Sequence, residues 1–229
     1  MIKENVPTIR GRIALVCSKI NRDFNSITVV AVAKGRTSEQ IKEAIEAGIT
    51  DIGENRVQEA LTKYYRLPIT DYRLPKIKWH MVGHLQTNKV KDAVKIFDLI
   101  HSIDSVRLAK EIDKEAARIN KIQDILIEVK TSPEATKFGL KPNEAIEVIK
   151  EISEFKNIKI KGLMTIAPLV DNPEKTRPYF IKLRETRDRI NELTNYELRI
   201  LSMGMTDDFE VAIEEGSTMV RIGRAIFKS

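Results

Sequence analysis

Apolar positions along this chain alternate between two rhythms. Ile9, Ile13, Val16 and Ile20 recur at helical spacing, so an opening helix is predicted from about Pro7, acceptable in a first turn, to about Arg22. The period then changes. Thr28-Val29-Val30-Ala31-Val32-Ala33 is a nearly unbroken apolar run rich in β-branched residues, the mark of a strand buried on both faces, as in parallel sheets covered by helices. Thr37-Ser38-Glu39-Gln40 has capping-box character, Ile41, Ala44 and Ile45 share a helical face, and Gly48 is placed to end that helix. Further strands are predicted at 51–53, 78–82, 99–102, 124–129, 158–163, 198–201 and 218–222, which makes eight in all. Helical patterns lie between them at 105–119, 143–152, 173–193 and 207–215. The last begins at Thr206, with Asp207 and Asp208 at the positive end of the helix dipole, and stops before Gly216. The stretch 64–76 reads as an irregular connection from strand to helix.

Eight rounds of strand and helix within 229 residues favour an α/β fold, a single (β/α)8 TIM barrel with an extra N-terminal helix, over an open doubly wound sheet. Without low-complexity segments or Gly/Ser-rich linkers, residues 1–229 read as one domain.

Composition narrows the function classes. A hydrophobic fraction of 42% and a charged fraction of 31% describe an ordinary globular chain. No apolar run approaches the roughly 18 to 20 residues of a membrane span, and Met1-Ile2-Lys3-Glu4-Asn5 lacks the apolar region of a signal peptide, so a cytosolic location and no membrane partner are expected. The lone Cys17 adjoins the apolar face of the first helix, where packing is its expected role. The charge of +6 is spread among opposite signs, as in Lys110-Glu111-Ile112-Asp113-Lys114-Glu115, which argues against nucleic acid as a partner while leaving a positive field that gathers anions. His80, His84 and His101 have no zinc-motif spacing, and neither a P-loop nor a G-x-S-x-G elbow occurs.

In a barrel of this kind, chemistry sits at the C-terminal ends of the strands. Lys34 is delivered to that end by the first apolar strand; in low-dielectric surroundings a lysine keeps more neutral amine for attack on an aldehyde, although a lysine simply leaving a strand for solvent fits the position as well. The loops after the seventh and eighth strands are the usual phosphate site of the fold. They offer Ser202, Gly204, Gly223 and Arg224, the last two opening a short final helix, or else they are ordinary tight turns. Arg221 precedes Gly223 and either points into the mouth or pairs with Glu210, Glu214 or another acid. Glu54 reads as a structural partner and His84 as a loop hydrogen-bonding residue.

Taken in order, Ala31-Val32-Ala33-Lys34, Gly53-Glu54-Asn55-Arg56-Val57-Gln58-Glu59, Trp79-His80-Met81-Val82-Gly83-His84-Leu85-Gln86-Thr87-Asn88-Lys89, His101-Ser102-Ile103-Asp104, Gly162-Leu163-Met164, Leu201-Ser202-Met203-Gly204-Met205-Thr206 and Gly216-Ser217-Thr218-Met219-Val220-Arg221-Ile222-Gly223 resemble the YggS/PROSC family of pyridoxal 5′-phosphate (PLP) homeostasis proteins. The resemblance spans nearly the whole chain. It implies an alanine-racemase-like barrel in which Lys34 carries PLP as a Schiff base and Arg221 approaches the pyridine nitrogen. It also implies that Ser202 and the backbone amides of Gly223 and Arg224 hold the phosphate, with Asn55 and Met203 beside the cofactor. Arg56, Gly35-Arg36 and Arg224 depart from the usual family residues, so at Arg224 only a backbone contact carries over.

By that resemblance the chain is a PLP carrier, storing or delivering the cofactor to PLP-dependent apo-enzymes and influencing amino-acid and keto-acid balance, without established turnover and as a monomer. The alternative is a PLP-dependent amino-acid racemase or related enzyme. Racemisation needs a base on each face of the substrate carbon, and the opposing base of the racemases comes from the second domain and partner subunit; with Ser229 a few residues past the last barrel element, that base is not expected here.

Overall fold

Short runs, most of them apolar and several β-branched, pair here into one closed parallel sheet. The structure, a computed structural model, describes residues 1–67, 76–134 and 138–228. Its strands are β1 (Thr28–Val32), β2 (Asp51–Glu54), β3 (Lys78–Met81), β4 (Leu99–Ile103), β5 (Gln123–Glu128), β6 (Ile158–Met164), β7 (Ile200–Ser202) and β8 (Met219–Ile222). They pair in sequence order, and β8 returns to β1 with Val30 opposite Arg221, closing the barrel. All eight strands lie where the alternation predicts them, and the TIM barrel is observed.

Helices wrap the outside: α1 (Ile2–Lys19), α2 (Ser38–Glu46), α3 (Val57–Arg66), α4 (Val90–Ile96), α5 (Val106–Ala117), α6 (Ala145–Ser153), α7 (Arg177–Leu193), α8 (Phe209–Glu214) and the short α9 (Arg224–Phe227). The capping box of α2 forms as expected, with Thr37 and Gln40 each accepting from the other's backbone N–H.

Several boundaries differ from expectation, α1 ending at Lys19 and α7 starting at Arg177 among them. α1 starts at Ile2, ahead of Pro7, because Ile2 and Val6 are buried and the Asn5 side chain donates to the carbonyls of Ile226 (3.0 Å) and Lys228 (3.1 Å); these contacts outweigh the one intrahelical bond that Pro7 cannot make. α8 starts at Phe209, not Thr206, since the Asp208 carboxylate accepts from the Met205 N–H (2.6 Å) and holds 205–208 as a turn. In the stretch expected to be irregular, Tyr64–Arg66 belong to α3, while 68–75 lie outside the described residues.

The apolar interior is split by strand parity. Residues such as Ala31, Ile52, Trp79, Ile100, Ile125, Leu163, Leu201 and Ile222 face outward and form one large cluster with the helices, which also takes in Cys17. Val30, Val82, Leu99, Leu126, Met164 and Met219 face inward as a smaller cluster filling the barrel. Gly162 is required where β6 meets β7, because a Cβ there would stand 1.9 Å from the Ile200 carbonyl oxygen. Between the inward apolar residues sit polar ones, and these lead to the mouth.

Candidate functional site

Lys34 leaves β1 in a tight turn whose backbone is held on every side. The Ala33 N–H donates to Gly53 O (2.8 Å), and the Ala33 carbonyl accepts from both Arg36 N (3.0 Å) and Lys63 Nζ (2.8 Å). Gly35 has φ +67°, the left-handed value that the third position of a type II turn demands, so glycine after Lys34 has a conformational reason. Lys34 thus continues the inward parity of Val30 and Val32, is exposed, and has no hydrogen-bond or ion-pair partner among the described residues. It lines a mouth cavity of about 480 Å³ together with Asn55, Arg56, Gly83, His84 and Lys89, a rim that is largely basic. Gly83 admits Asn55 to this rim: a Cβ at 83 would lie 2.5 Å from the Asn55 carbonyl oxygen.

Across the seam with β8, Arg221 is buried within the barrel. Its Nη1 donates to Ser202 Oγ (2.7 Å) and its Nη2 to Thr165 O (2.8 Å). Among the described residues no carboxylate lies within ion-pair distance of it: Glu210 pairs instead with Arg12 (2.9 Å) and Glu214 with Arg177 (2.5 Å). Burial lowers the Arg221 guanidinium to about 10, against the more distant Asp208 and Glu128 carboxylates, which favour its charge. A buried cation with donors to spare and no anion in contact fits a ligand bearing an acceptor atom.

Beside it, Gly204 has φ +91°, and a Cβ there would come within 2.6 Å of the Ala212 Cβ. Its carbonyl accepts from Arg221 N (3.0 Å), which ties the loop after β7 to β8. Gly223 packs against β1, with room for a Cβ only 3.3 Å from Val32 O. The first N–H groups of α9, beginning at Arg224, have no acceptor within their own helix. The Arg224 side chain turns away to Asp207, which leaves its backbone N–H as the group on offer.

Two expected site residues occupy different places. Ser202 is fully buried beneath the mouth, where its hydroxyl is engaged by Arg221 and by His101 Nδ1 (3.0 Å), so it supports the arginine and is not open to a phosphate. The Met203 side chain, also fully buried, faces the outer cluster between sheet and helices and does not line the mouth. Adjacent residues leaving a strand point to opposite faces, which accounts for both.

Sequence reasoning missed a run of interior polar contacts. His101 Nε2 meets His80 Nδ1 at 3.0 Å, His80 Nε2 meets Asp51 Oδ1 at 2.9 Å, and Thr50 Oγ1 donates to Asp51 Oδ2 at 2.6 Å. Burial drives the His101 imidazole well below its ordinary value, helped by His80 and Arg221. Burial alone would raise Asp51, yet the hydrogen bonds from His80 and Thr50 hold it below the usual carboxylate range. Expected to hydrogen-bond within its own loop, His84 instead reaches across to other loops, 3.5 Å from Asp104 after β4 and stacked on Phe138 after β5 with ring centroids 3.9 Å apart. Among the described residues no group of three His, Cys, Asp or Glu side chains is placed to hold a metal, and no described helix is long and apolar enough to cross a membrane.

Glu128, at the inward end of β5, is the other unusual titrating group. Burial pushes its carboxyl up to about 7, with Asp104 adding to the effect and Arg221 opposing it. A folded value above the unfolded one means that the folded chain keeps a proton the unfolded chain has lost, so stability falls as pH rises from about 4.5 to 7 and is level beyond. Glu128→Gln is therefore expected to stabilise the protein at about pH 8 by about 2–3 kcal/mol and to change little at about pH 4, as read from urea denaturation at the two pH values.

The chain matches the alanine racemase N-terminal domain family over residues 7–229. A pyridoxal phosphate homeostasis protein of Aquifex aeolicus (strain VF5) is 45% identical over 224 residues, 98% of this chain and 96% of that protein. One from Vibrio alginolyticus is 37% identical over 226 residues, 99% of this chain and 96% of that protein. Among solved structures, PipY of Synechococcus elongatus PCC7942 with PLP bound is 33% identical, with a TM-score of 0.86 over 99% of this chain and 100% of that one. An alanine racemase of Clostridium difficile 630, 16% identical with a TM-score of 0.77 over 97% of this chain and 59% of that one, shares the fold. The resemblance read from the motifs is borne out. Identity of this extent along the whole barrel leaves one assignment: the chain belongs to the alanine racemase N-terminal domain family, among the pyridoxal phosphate homeostasis proteins.

Proposed function

We propose that this protein binds PLP as a Schiff base on Lys34 and acts as a carrier that stores or delivers the cofactor, not as an enzyme that turns over amino acids. The observation that carries this reading is the buried Arg221, without a carboxylate in contact, set beside the strand that presents Lys34. The PLP bound in the structure of PipY and the names of the curated relatives support it.

Each residue has a task that follows from its place. Lys34 supplies the amine, held at the mouth by the turn through Gly35. Arg221 donates toward the pyridine nitrogen, and Ser202 keeps the guanidinium in position. The N–H groups of Gly223 and Arg224 face the phosphate at the start of α9, and Asn55 borders the ring from the Gly83 side. When bound, PLP supplies an electron-withdrawing ring, and an arginine at its nitrogen keeps that nitrogen unprotonated and weakens the withdrawal. Holding the cofactor without driving bond cleavage at a substrate carbon suits a carrier. One barrel domain over 1–229, acting as a cytosolic monomer and passing PLP to apo-enzymes, completes the proposal.

Borohydride reduction followed by peptide mass spectrometry is expected to place a pyridoxyl group on Lys34. A label on another lysine would refute the assignment. In the same preparation L-alanine is expected to give no D-alanine above a heat-killed control, and D-alanine formed at enzyme-like rates would favour the racemase reading.

A further inference from the structure

The polar contacts inside the barrel form one continuous path. From the base upward it runs Thr50, Asp51, His80, His101, Ser202, Arg221, with links of 2.6, 2.9, 3.0, 3.0 and 2.7 Å contributed by β2, β3, β4, β7 and β8. Asp51, His80, His101, Ser202 and Arg221 are all buried, at 7%, 2%, 0%, 0% and 5% exposure, so water does not replace these bonds if they break. Thr50 and Asp51 lie at the other end of the barrel, where they border a crevice of about 250 Å³ with Arg10 and Asn25.

The donors and acceptors in this path run in one direction. The Asp51 carboxylate only accepts, so His80 presents Nε2–H to it. In the arrangement with one proton on each ring, His80 Nδ1 is then an acceptor, and His101 presents Nε2–H to His80. His101 Nδ1 is left as an acceptor, so the Ser202 hydroxyl gives its hydrogen to His101. Ser202 Oγ thereby turns its lone pairs to Arg221, which only donates. With one proton on each ring, the carboxylate at the base sets the direction of the whole row, and the row ends on the buried Arg221 guanidinium.

We propose that Asp51, His80, His101 and Ser202 are positioning residues for Arg221: a directed hydrogen-bond chain, anchored by the Asp51 carboxylate at the base of the barrel, that holds Ser202 Oγ as an acceptor for the guanidinium and so fixes the cation against the pyridine ring of PLP. The cofactor half of this statement rests on the reading of the site given above. The hydrogen-bond half belongs to the chain itself. Asp51 and His80 therefore influence cofactor binding without approaching the cofactor.

The test has two arms. In the protein freed of PLP, nitrogen-15 NMR of labelled histidines is expected to show both His80 and His101 as neutral Nε2–H tautomers; His101 as the Nδ1–H tautomer or as imidazolium overturns the chain. In the PLP-bound protein, the dissociation constant is measured for Asp51→Ala, Ser202→Ala and the double variant. Each single change is expected to weaken binding roughly 2- to 30-fold. Because the chain is broken by either change, the double variant is expected to fall short of the product of the two losses by more than about 2-fold, the spread seen for separated, independent sites. Losses that multiply overturn the proposal, since a residue needed only for folding has no reason to couple to Ser202. Borohydride labelling of the unaltered protein separates the two readings: no label on Lys34 removes the cofactor site while the tautomers still report on the chain, and a label with multiplicative losses removes the chain alone. Should a variant fail to fold, the tautomers of the unaltered protein decide.

Discussion

Lys34→Ala is expected to abolish covalently retained PLP altogether while leaving the barrel folded and its stability within about 0.5 kcal/mol of the parent. The asymmetry follows from how the residue is held. What fixes position 34 is the backbone of Ala33, not the Lys34 side chain: the Ala33 N–H donates to Gly53 O, and its carbonyl accepts from Arg36 N and from the Lys63 ammonium. The side chain is exposed and makes no hydrogen bond or ion pair among the described residues, so its removal leaves no buried group unsatisfied and no cavity. What disappears is the amine. PLP held only by Arg221 and the α9 amides is expected to leave on gel filtration, giving a colourless protein that borohydride does not label, with an unchanged far-UV circular dichroism spectrum. Loss of that spectrum would make Lys34 structural. Retention of reducible PLP by the variant would move the Schiff base to another lysine.

How much of this was legible before the structure depends on whether the information is local. Most strands were, because they carry their own apolar or β-branched runs, and so was the α2 cap, whose partners Thr37 and Gln40 are three residues apart. Lys34 and Arg221 were legible as candidates because a parallel barrel puts strand ends at its mouth. The interior chain was not. Its members come from β2, β3, β4, β7 and β8, and only the register of the closed sheet and the inward parity of each strand bring them together. A weak signal existed: Asp51, His80 and His101 are polar residues within strands of a barrel whose core is apolar, and burial of that kind requires partners. The parity rule also bears on Ser202 and Met203, since neighbours on a strand do not face the same side. The family resemblance placed both beside the cofactor, and the structure separates them. Glu54 was rightly read as a structural partner, but its cation, Lys63, sits one helix later and touches two things at once.

That double contact gives the second large effect. Lys63 Nζ meets Glu54 Oε1 at 2.5 Å and Ala33 O at 2.8 Å, and Glu54 Oε2 is buried without a partner. Burial, only partly offset by Lys63, already raises the Glu54 carboxyl. Lys63→Met takes away the only counter-charge Glu54 has among the described residues and is expected to destabilise the barrel by about 3–5 kcal/mol, the cost of leaving one buried charge alone. The deficit depends on pH with a definite sign. The variant's Glu54 titrates higher still, so between the ordinary glutamate value and the raised one the folded chain binds a proton that the unfolded chain has released; stability is lost as pH rises through this window. Urea denaturation is expected to show the full deficit at about pH 8 and a smaller one at about pH 4.5. Pairing it with Glu54→Leu is expected to recover most of the stability, since an apolar pair of similar volume replaces a buried ion pair at little net cost. The second change does not restore the donor to Ala33 O, however. Lys63→Met/Glu54→Leu is therefore expected to fold well and still bind PLP several-fold more weakly than the parent, because the turn that aims Lys34 has lost one of its ties. Full recovery of both stability and PLP affinity would show that Lys63 serves the fold alone.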